Sequence, residues 1–179
     1  PVSSITEISP DLFLLEIVWW PPFETLAGAA AAEKPKLLQS MKEETDYEVL
    51  DEIPFWSNGE GFTNKKRTRL YLYDVKTKDL SPITGETFLA ETPQLDETHE
   101  RFAFTGIDFS DKLEIRNDVY LYTLKDKSLE KFSMGETFLT DYVDFWDKDT
   151  LFVVGQEQRN YGINENPKFY AFCLKDKTL

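Results

Sequence analysis

The feature that most constrains this chain is an internal repeat with a period of about 50 residues. The pentapeptide Gly-Glu-Thr-Phe-Leu occurs at 85–89 and again at 135–139. A second motif, an alternating run of large residues followed by a Lys/Asp/Thr turn and a leucine, occurs at 71–80, 120–129 and 170–179. Several motifs that recur with the same spacing are typical of proteins that stack one structural unit several times.

Each unit is predicted to contain four short strands. An acidic turn follows strand one, and an apolar run forms strand two at 12–15, 102–105 and 151–154. The alternating motif forms strand three, and strand four is short, at 80–84 and 129–133. A unit of this length with four antiparallel strands is a propeller blade. We therefore predict an all-β chain, a partial β-propeller of about three blades at 1–84, 85–134 and 135–179.

The first unit carries an insertion at about 21–61. Strands two and three begin at positions 102 and 120 in the second unit and at 151 and 170 in the third, but at 12 and 71 in the first. Pro21 and Pro22 are expected to stop the preceding strand. We predict helices at 24–32 and 36–43, an extended stretch at 47–55 and a turn at 57–61.

Three units are too few for a closed propeller, which typically has 4–8 blades. The third unit reaches Leu179, which matches the residue that opens strand four in the other units. We therefore expect the chain to be part of a longer propeller.

Composition excludes several classes of function. The formal net charge is −13, from 33 acidic and 20 basic residues, so the field of the protein repels nucleic acid and anionic lipid. The sequence has no apolar run long enough for a transmembrane helix. The single cysteine, Cys173, allows no intrachain disulfide, which favours a cytoplasmic location, and we expect it to be buried.

No residue of this chain is predicted to be catalytic, to bind a cofactor or to bind a metal. The Gly-x-Ser-x-Gly pentapeptide of serine hydrolases is missing, and the only histidine, His99, is expected in an exposed hairpin turn. One cysteine and one histidine cannot form a Cys/His zinc cluster. The glycine-rich stretch 58–61 is interpreted as a turn rather than a phosphate loop.

Two surface features, a basic cluster and a group of aromatic residues, each have two possible roles. The basic cluster at 65–69 is expected to offset nearby acids or to protect a strand edge. Five aromatic residues are expected to pack the insertion against the propeller, with a binding surface as the alternative: Trp19, Trp20, Phe55, Trp56 and Phe62. Trp146 is expected to pack between blades.

Segment 46–62 resembles the early-blade insertion of prolyl-oligopeptidase-type serine peptidases, of the acylaminoacyl-peptidase and dipeptidyl-aminopeptidase branch. Segments 69–75 and 80–84 are similar to a strand pair of that family, and 9–11 resembles its Ser-Pro-Asp-Gly turn, although Leu12 replaces the glycine. The resemblance implies that the propeller precedes an α/β-hydrolase domain that carries a Ser-Asp-His triad. It also implies that this chain is non-catalytic and limits the access of short peptides to that domain.

Two alternatives remain. One is a stand-alone propeller that binds other proteins, and the other is a carbohydrate-binding module with an aromatic platform. If the chain is part of a longer propeller, we expect the isolated chain to self-associate, because an open arc of blades has unpaired edges and two uncovered faces.

Overall fold

The computed structural model describes residues 1–43, 50–59, 61–63 and 65–179. Its elements, in chain order, are β1 (Val2–Ser9), β2 (Leu12–Trp19), α1 (Pro21–Gly28), α2 (Lys34–Glu43), β3 (Trp56–Ser57), β4 (Gly61–Phe62), β5 (Arg67–Asp74), β6 (Asp79–Pro82), β7 (Phe88–Ala90), β8 (Gln94–Leu95), β9 (Arg101–Asp108), β10 (Asp118–Thr123), β11 (Ser128–Phe132), β12 (Phe138–Phe145), β13 (Thr150–Glu157) and β14 (Lys168–Cys173). The fold is a partial β-propeller, because these strands form three successive antiparallel blades that do not close into a ring.

Each blade keeps its strands in chain order. The first blade is β1-β2-β5-β6, and the second is β7 and β8 on β9, followed by β10 and β11. The third blade is β12-β13-β14, and a single bridge between Cys173 and Thr178 stands where a fourth strand begins in the other two. One period of the sequence repeat therefore corresponds to one blade.

The repeated lysine turns have one shared backbone conformation. The last residue of each turn is a lysine with positive φ, namely Lys78, Lys127 and Lys177, with φ of 60°, 55° and 53°. In each case the flanking residues pair across the hairpin, so the three turns are equivalent connections.

Both faces of a blade are apolar, and we name them by direction. The forward face looks toward the next blade along the chain, and in the first blade it carries Leu14 and Leu70. The backward face looks toward the preceding blade, and in the second blade it carries Phe102 and Tyr122, whose rings stack at 5.0 Å. One core lies between the first and second blades and another between the second and third.

The Gly-Glu-Thr-Phe-Leu motif packs at each of the two interfaces between blades. Its phenylalanine, Phe88 or Phe138, lies over a glycine in the neighbouring strand, and a Cβ on Gly106 would lie 2.6 Å from Phe88 and 2.7 Å from the Leu89 carbonyl oxygen. A Cβ on Gly155 would come within 2.5 Å of the equivalent atoms. The sequence analysis missed this pair of glycines, which occupy the same place in two successive repeats.

The threonine of the same motif binds the carboxylate at the end of that strand. Thr87 donates to Asp108 at 2.5 Å, and Thr137 donates to Glu157 at 3.0 Å. The motif therefore packs its strand against the neighbouring one: its phenylalanine ring covers a glycine, and its threonine hydroxyl donates to a carboxylate.

The insertion differs from its prediction at both helices. The first helix runs from Pro21 to Gly28, so the predicted helix at 29–32 is wrong. It begins at Pro21 because proline is favoured in the first turn of a helix, where the missing N–H would have no helical partner. The second helix begins at Lys34 instead of residue 36. The predicted extended stretch 47–55 lies partly outside the described residues, and its described part, 50–55, forms no strand beyond one bridge at Ile53.

The expected turn at 57–61 joins β3 to β4, with Gly59 and Gly61 at positive φ. Residue 60 lies outside the described residues.

Replacing Gly106 with alanine should lower the free energy of unfolding by about 2–3 kcal/mol, because the added methyl group meets a backbone carbonyl as well as a ring. Urea unfolding followed by tryptophan fluorescence measures this difference. The control is Gly85→Ala, since no atom lies within 4 Å of a Cβ there. Equal stability of the two variants would contradict the proposed role of the glycine.

Candidate functional site

The long connections of all three blades emerge at one end of the arc. They are the segments between strands two and three, 20–66, 109–117 and 158–167, together with the links 83–87 and 133–137. We call this end the loop face. The short hairpin turns lie at the opposite end, the turn face, because antiparallel strands alternate their connections between the two ends.

Two backbone hydrogen bonds attach the insertion to the second blade. The Ile53 N–H donates to the Asp111 carbonyl at 2.7 Å, and the Leu113 N–H donates to the Ile53 carbonyl at 2.7 Å. Ile53 therefore pairs in parallel with the connection 109–117. The insertion thus spans two blades.

A buried ion pair also stabilises the contact between the insertion and the second blade. Arg67 donates from Nη2 to Oε2 of Glu52 at 2.7 Å, and their side chains are only 3% and 4% exposed. The guanidinium lies over the Phe109 ring, 3.8 Å from its centroid. Because Phe109 belongs to the second blade, this clamp (Glu52, Arg67 and Phe109) joins the insertion, the first blade and the second blade.

The clamp keeps Glu52 ionised. Burial alone raises the pKa of Glu52, but hydrogen bonds from Arg67 and from the Lys65 N–H, at 2.9 Å, lower it by more. The net pKa lies below its ordinary value of 4.5. A buried carboxylate of this kind stabilises the fold only while it is charged.

The basic cluster offsets acids, as predicted. Lys65 pairs with Asp51, and Arg67 pairs with Glu52. Arg69 donates to the Thr84 carbonyl from Nε at 3.2 Å and from Nη2 at 2.8 Å. The sequence analysis did not identify Glu52 or Phe109, and no spacing rule points to either partner.

The aromatic residues of the insertion divide into two groups. Trp19 donates to Glu24 at 3.0 Å and lies beside the Arg69 guanidinium, so it lies between the first blade and α1. Phe55, Trp56 and Phe62 are exposed, so the prediction that they pack against the propeller is wrong. Trp56 and Phe62 instead meet edge to face at 5.1 Å across the β3–β4 hairpin and form an apolar surface on the loop face.

A cleft of about 600 Å³ lies beside the clamp, between the connection 109–117 and the link 133–137. Its lining combines charged and apolar side chains. It is lined by the acids Asp108, Asp111, Glu114, Asp118 and Glu136, the bases Lys112, Arg116 and Lys131, the serines Ser110 and Ser133, and the apolar residues Ile107, Phe109, Met134 and Phe138. Lys131 pairs with Asp118 at 2.6 Å, and Arg116 donates to the Glu136 carbonyl. Such a cleft can hold a short polar chain by charge and hydrogen bonds.

His99 lies far from this cleft. It occupies the turn face with φ of 57°, is exposed as predicted, and its Nδ1 lies 3.0 Å from the Ile8 carbonyl oxygen of the first blade. The eight-residue strand β9 separates it from Ser110, a span of roughly 25 Å at about 3.3 Å per residue. His99 therefore joins two blades and cannot serve as a base for the serines of the cleft.

Two other expectations about single residues are wrong. Trp146 is 71% exposed, because it directly follows β12 on the open forward face of the third blade, where no blade covers it. Cys173 is half-buried rather than buried, and its Sγ lies 3.6 Å from Asp176. It pairs with Thr150 near the same open face.

None of the described helices has the length and apolar character needed to cross a membrane. Within the described part of the chain, no three His, Cys, Asp or Glu side chains are grouped so that they could hold a metal ion.

No protein-family model and no curated protein matches this sequence. Solved structures do match. The β-propeller domain of the trilobed protease from Pyrococcus furiosus aligns with 99% of this chain at a TM-score of 0.52 and 10% identity. Acylaminoacyl peptidase from Pyrococcus horikoshii aligns with 96% of it at 0.56 and 15% identity. An acylaminoacyl peptidase in complex with Z-Gly-Gly-Phe-chloromethyl ketone aligns with 99% at 0.52 and 11% identity.

These similarities show that the chain has the fold of peptidase β-propellers, as the sequence resemblance predicted. This chain covers 40% of the trilobed protease chain and 24% of each acylaminoacyl peptidase chain.

Replacing Glu52 with glutamine should lower the free energy of unfolding at pH 7 by about 3 kcal/mol, because it leaves the Arg67 charge buried without its partner. The sign of the pH dependence follows from the lowered pKa. The contribution of Glu52 is complete above pH 4.5 and is lost as the pH falls through the lower value in the folded protein. The difference between wild type and variant should therefore shrink in acid, as measured by urea unfolding at several pH values.

The control for this experiment is Asp51→Asn, which removes an exposed acid of an exposed pair and should change stability by less than about 1 kcal/mol. Hydrogen exchange gives a local readout. The Ile53 and Leu113 amides should exchange faster in Glu52→Gln and at the wild-type rate in Asp51→Asn. A difference between Glu52→Gln and wild type that stays constant from pH 7 to pH 3 would contradict this account of the clamp.

Proposed function

We propose that this chain, residues 1–179, is the non-catalytic propeller segment of a prolyl-oligopeptidase-type serine peptidase. In this proposal the parent protein carries an α/β-hydrolase domain, and the propeller limits access to it to short peptides. The observation that carries the proposal is the alignment of nearly the whole chain with the propellers of two kinds of peptidase. The sequence supports it further, since it has no Gly-x-Ser-x-Gly nucleophile of its own.

The loop face is the surface that we assign to the hydrolase domain. It carries exposed apolar side chains from all three blades: Ile53, Phe55, Trp56, Phe62, Ile115, Tyr161 and Ile163. The turn face, by contrast, presents the repeated lysine and aspartate turns, which remain hydrated. Apolar surface that is exposed in one protein commonly marks the place where another domain packs.

The insertion would act as part of the entrance. The clamp fixes residues 50–59 and 61–63 over the junction of the first and second blades, and the charged cleft opens beside them. A substrate that reaches the hydrolase domain past this segment must be narrow. The selection is therefore steric: short peptides fit past this segment and long or folded chains do not.

The parent protein is proposed to be cytoplasmic. Its support is the single cysteine, which remains a free thiol in this chain. The proposal also includes self-association of the isolated chain through its two uncovered blade faces.

A stand-alone protein-binding propeller is the second candidate function. The observation that favours it is the same row of exposed apolar residues on the loop face, which fits a partner protein as well as a hydrolase domain.

The native product in the source cells should be several times larger than 20.8 kDa and should react with a fluorophosphonate, which labels activated serines. Immunoprecipitation with an antibody against this chain, followed by fluorophosphonate labelling on a denaturing gel, measures both. A single unlabelled band at the mass of this chain alone would refute the peptidase proposal and support the binding module.

In the parent peptidase, Glu52→Gln should raise kcat/KM for peptides of about 20 residues relative to a dipeptide substrate by roughly tenfold, because the insertion loses its buried anchor. The matched control is Asp51→Asn, an exposed acid of the same insertion that does not line the cleft, which should leave the ratio unchanged. An unchanged ratio in Glu52→Gln would show that the insertion does not select substrates.

A further inference from the structure

The two interfaces between blades use equivalent positions of the repeat, but the edge strands fill them differently. Between the second and third blades, Phe132 of β11 contacts Phe172, with ring centroids 5.3 Å apart and only 5% and 3% of each residue exposed. The Nζ of Lys177 lies 5.4 Å from the centroid of the Phe132 ring and 3.7 Å from a carboxylate oxygen of Glu130. A ring, a lysine and a carboxylate therefore close this interface at its edge.

The interface between the first and second blades has smaller residues at the same positions of the repeat. Ile83 stands in the place of Phe132, and Ser81 stands in the place of Glu130. Ile83 packs on the core between the two blades but stays half-buried, because its side chain is too short to reach as far as a phenylalanine ring. The Ser81 hydroxyl donates to Asp79 in its own strand, at 2.6 Å. This interface therefore lacks both the ring and the carboxylate.

A groove of about 590 Å³ lies at this edge of the interface. Its apolar lining comes from both blades, with Leu12 and Ile83 of the first and Leu124 and Leu129 of the second. Because it lies between two adjacent described blades, a further blade at either end of the arc would not enter it.

The charged residues of the groove lie on opposite walls. Lys127, on the second blade, is the counterpart of Lys177 and has the same turn conformation, with φ of 55° against 53°. None of the ion pairs within the described part of the chain includes Lys127, whereas Lys177 pairs with Glu130. Asp74 and Asp79 lie on the first-blade wall. The groove therefore presents a cation on one side, carboxylates on the other and apolar side chains between them.

We propose that this groove binds an extended peptide segment of a partner protein, in which a large apolar side chain lies between an acidic and a basic residue. The apolar side chain takes the place that the Phe132 ring fills in the other interface. The acidic residue pairs with Lys127, as Glu130 pairs with Lys177, and the basic residue faces the carboxylates of the first blade.

The shape of the groove favours an elongated occupant. Its lining follows β6 from Asp79 to Pro82, a length of roughly 13 Å at about 3.3 Å per residue. The groove lies beside the turn face, since Thr77 and Lys127 belong to the hairpin turns of that end. The proposal therefore does not depend on the hydrolase domain that we assign to the loop face.

The test begins with a selection of random peptides, displayed on phage, on the full chain. The sequence that the selected peptides share is synthesised with a fluorescent label, and its dissociation constant is measured by fluorescence polarisation. We expect a shared large apolar residue with an acidic and a basic neighbour, and a dissociation constant on the order of 10–100 µM.

Two variants locate the binding site. Ile83→Phe fills the groove as Phe132 fills the other interface, and Lys127→Gln removes the cation, so each should raise the dissociation constant at least about tenfold. The matched control is Lys78→Gln, because Lys78 occupies the same turn position with φ of 60° but does not line the groove, and it should leave the affinity unchanged.

A charge exchange keeps the test independent of the packing change at Ile83. Lys127→Glu should bind the selected peptide poorly and should regain affinity for a peptide in which the acidic residue is replaced by lysine. Circular dichroism and urea unfolding compare the fold and stability of every variant with those of wild type. A loss of affinity in a folded Lys127→Glu variant, restored by the exchanged peptide, is the result that supports a direct ion pair.

Several outcomes would overturn the proposal. They are a selection that yields no shared sequence, a shared sequence without the acidic residue, wild-type affinity in Lys127→Gln, and an equal loss of affinity in Lys78→Gln. Light scattering that shows a wild-type dimer and an Ile83→Phe monomer would instead identify a second copy of the chain as the occupant. Each of these results leaves the peptidase proposal standing, since the gel experiment on the native product decides that proposal separately.

Discussion

Every blade of this protein has two apolar faces, and the structure depends on burying both. A strand such as β2 has almost no polar side, so a sheet built from such strands needs a neighbour on each face. In the second blade the two faces differ, since the backward face carries large rings and the forward face carries smaller aliphatic residues. At both interfaces the forward face of one blade packs on the backward face of the next, so the chain advances by one blade for each repeat.

This directional stacking is also what creates the loop face. Because every blade has the same strand order and orientation, the connection between its second and third strands always emerges at the same end. One connection expanded into the insertion, and the neighbouring connection supplies Phe109 and the backbone that receive it. The insertion adds a surface to the arc without contributing to the cores between the blades, so it can vary while the fold remains.

The clamp shows how a charged group can be part of such an attachment. Arg67 is almost entirely removed from water, and it contacts a carboxylate on one side and an aromatic ring on the other. A buried pair of this kind contributes little beyond what an apolar contact would contribute, but each member strongly requires the other. The clamp therefore specifies one position of the insertion on the second blade. The same fold persists at 10–15% identity in peptidase propellers, because the alternation of apolar faces, rather than particular residues, determines it.

The sequence by itself determined the length of one repeat, the strand order within a blade and the site of the insertion. These properties follow from periodicity, since a motif that recurs once in every repeat must occupy the same place in each blade. The exposed turn at His99 also follows from local sequence. What the tertiary structure alone decided are the contacts between segments that are distant in the chain. Glu52 and Arg67 meet Phe109 only after two blades have stacked, and the space above Gly106 is filled only when Phe88 arrives from the adjacent strand. Trp146 and Phe55 are large apolar residues of the kind that fill protein cores, yet both are exposed. Burial depends on whether another segment packs against the side chain, and the local sequence does not specify that segment.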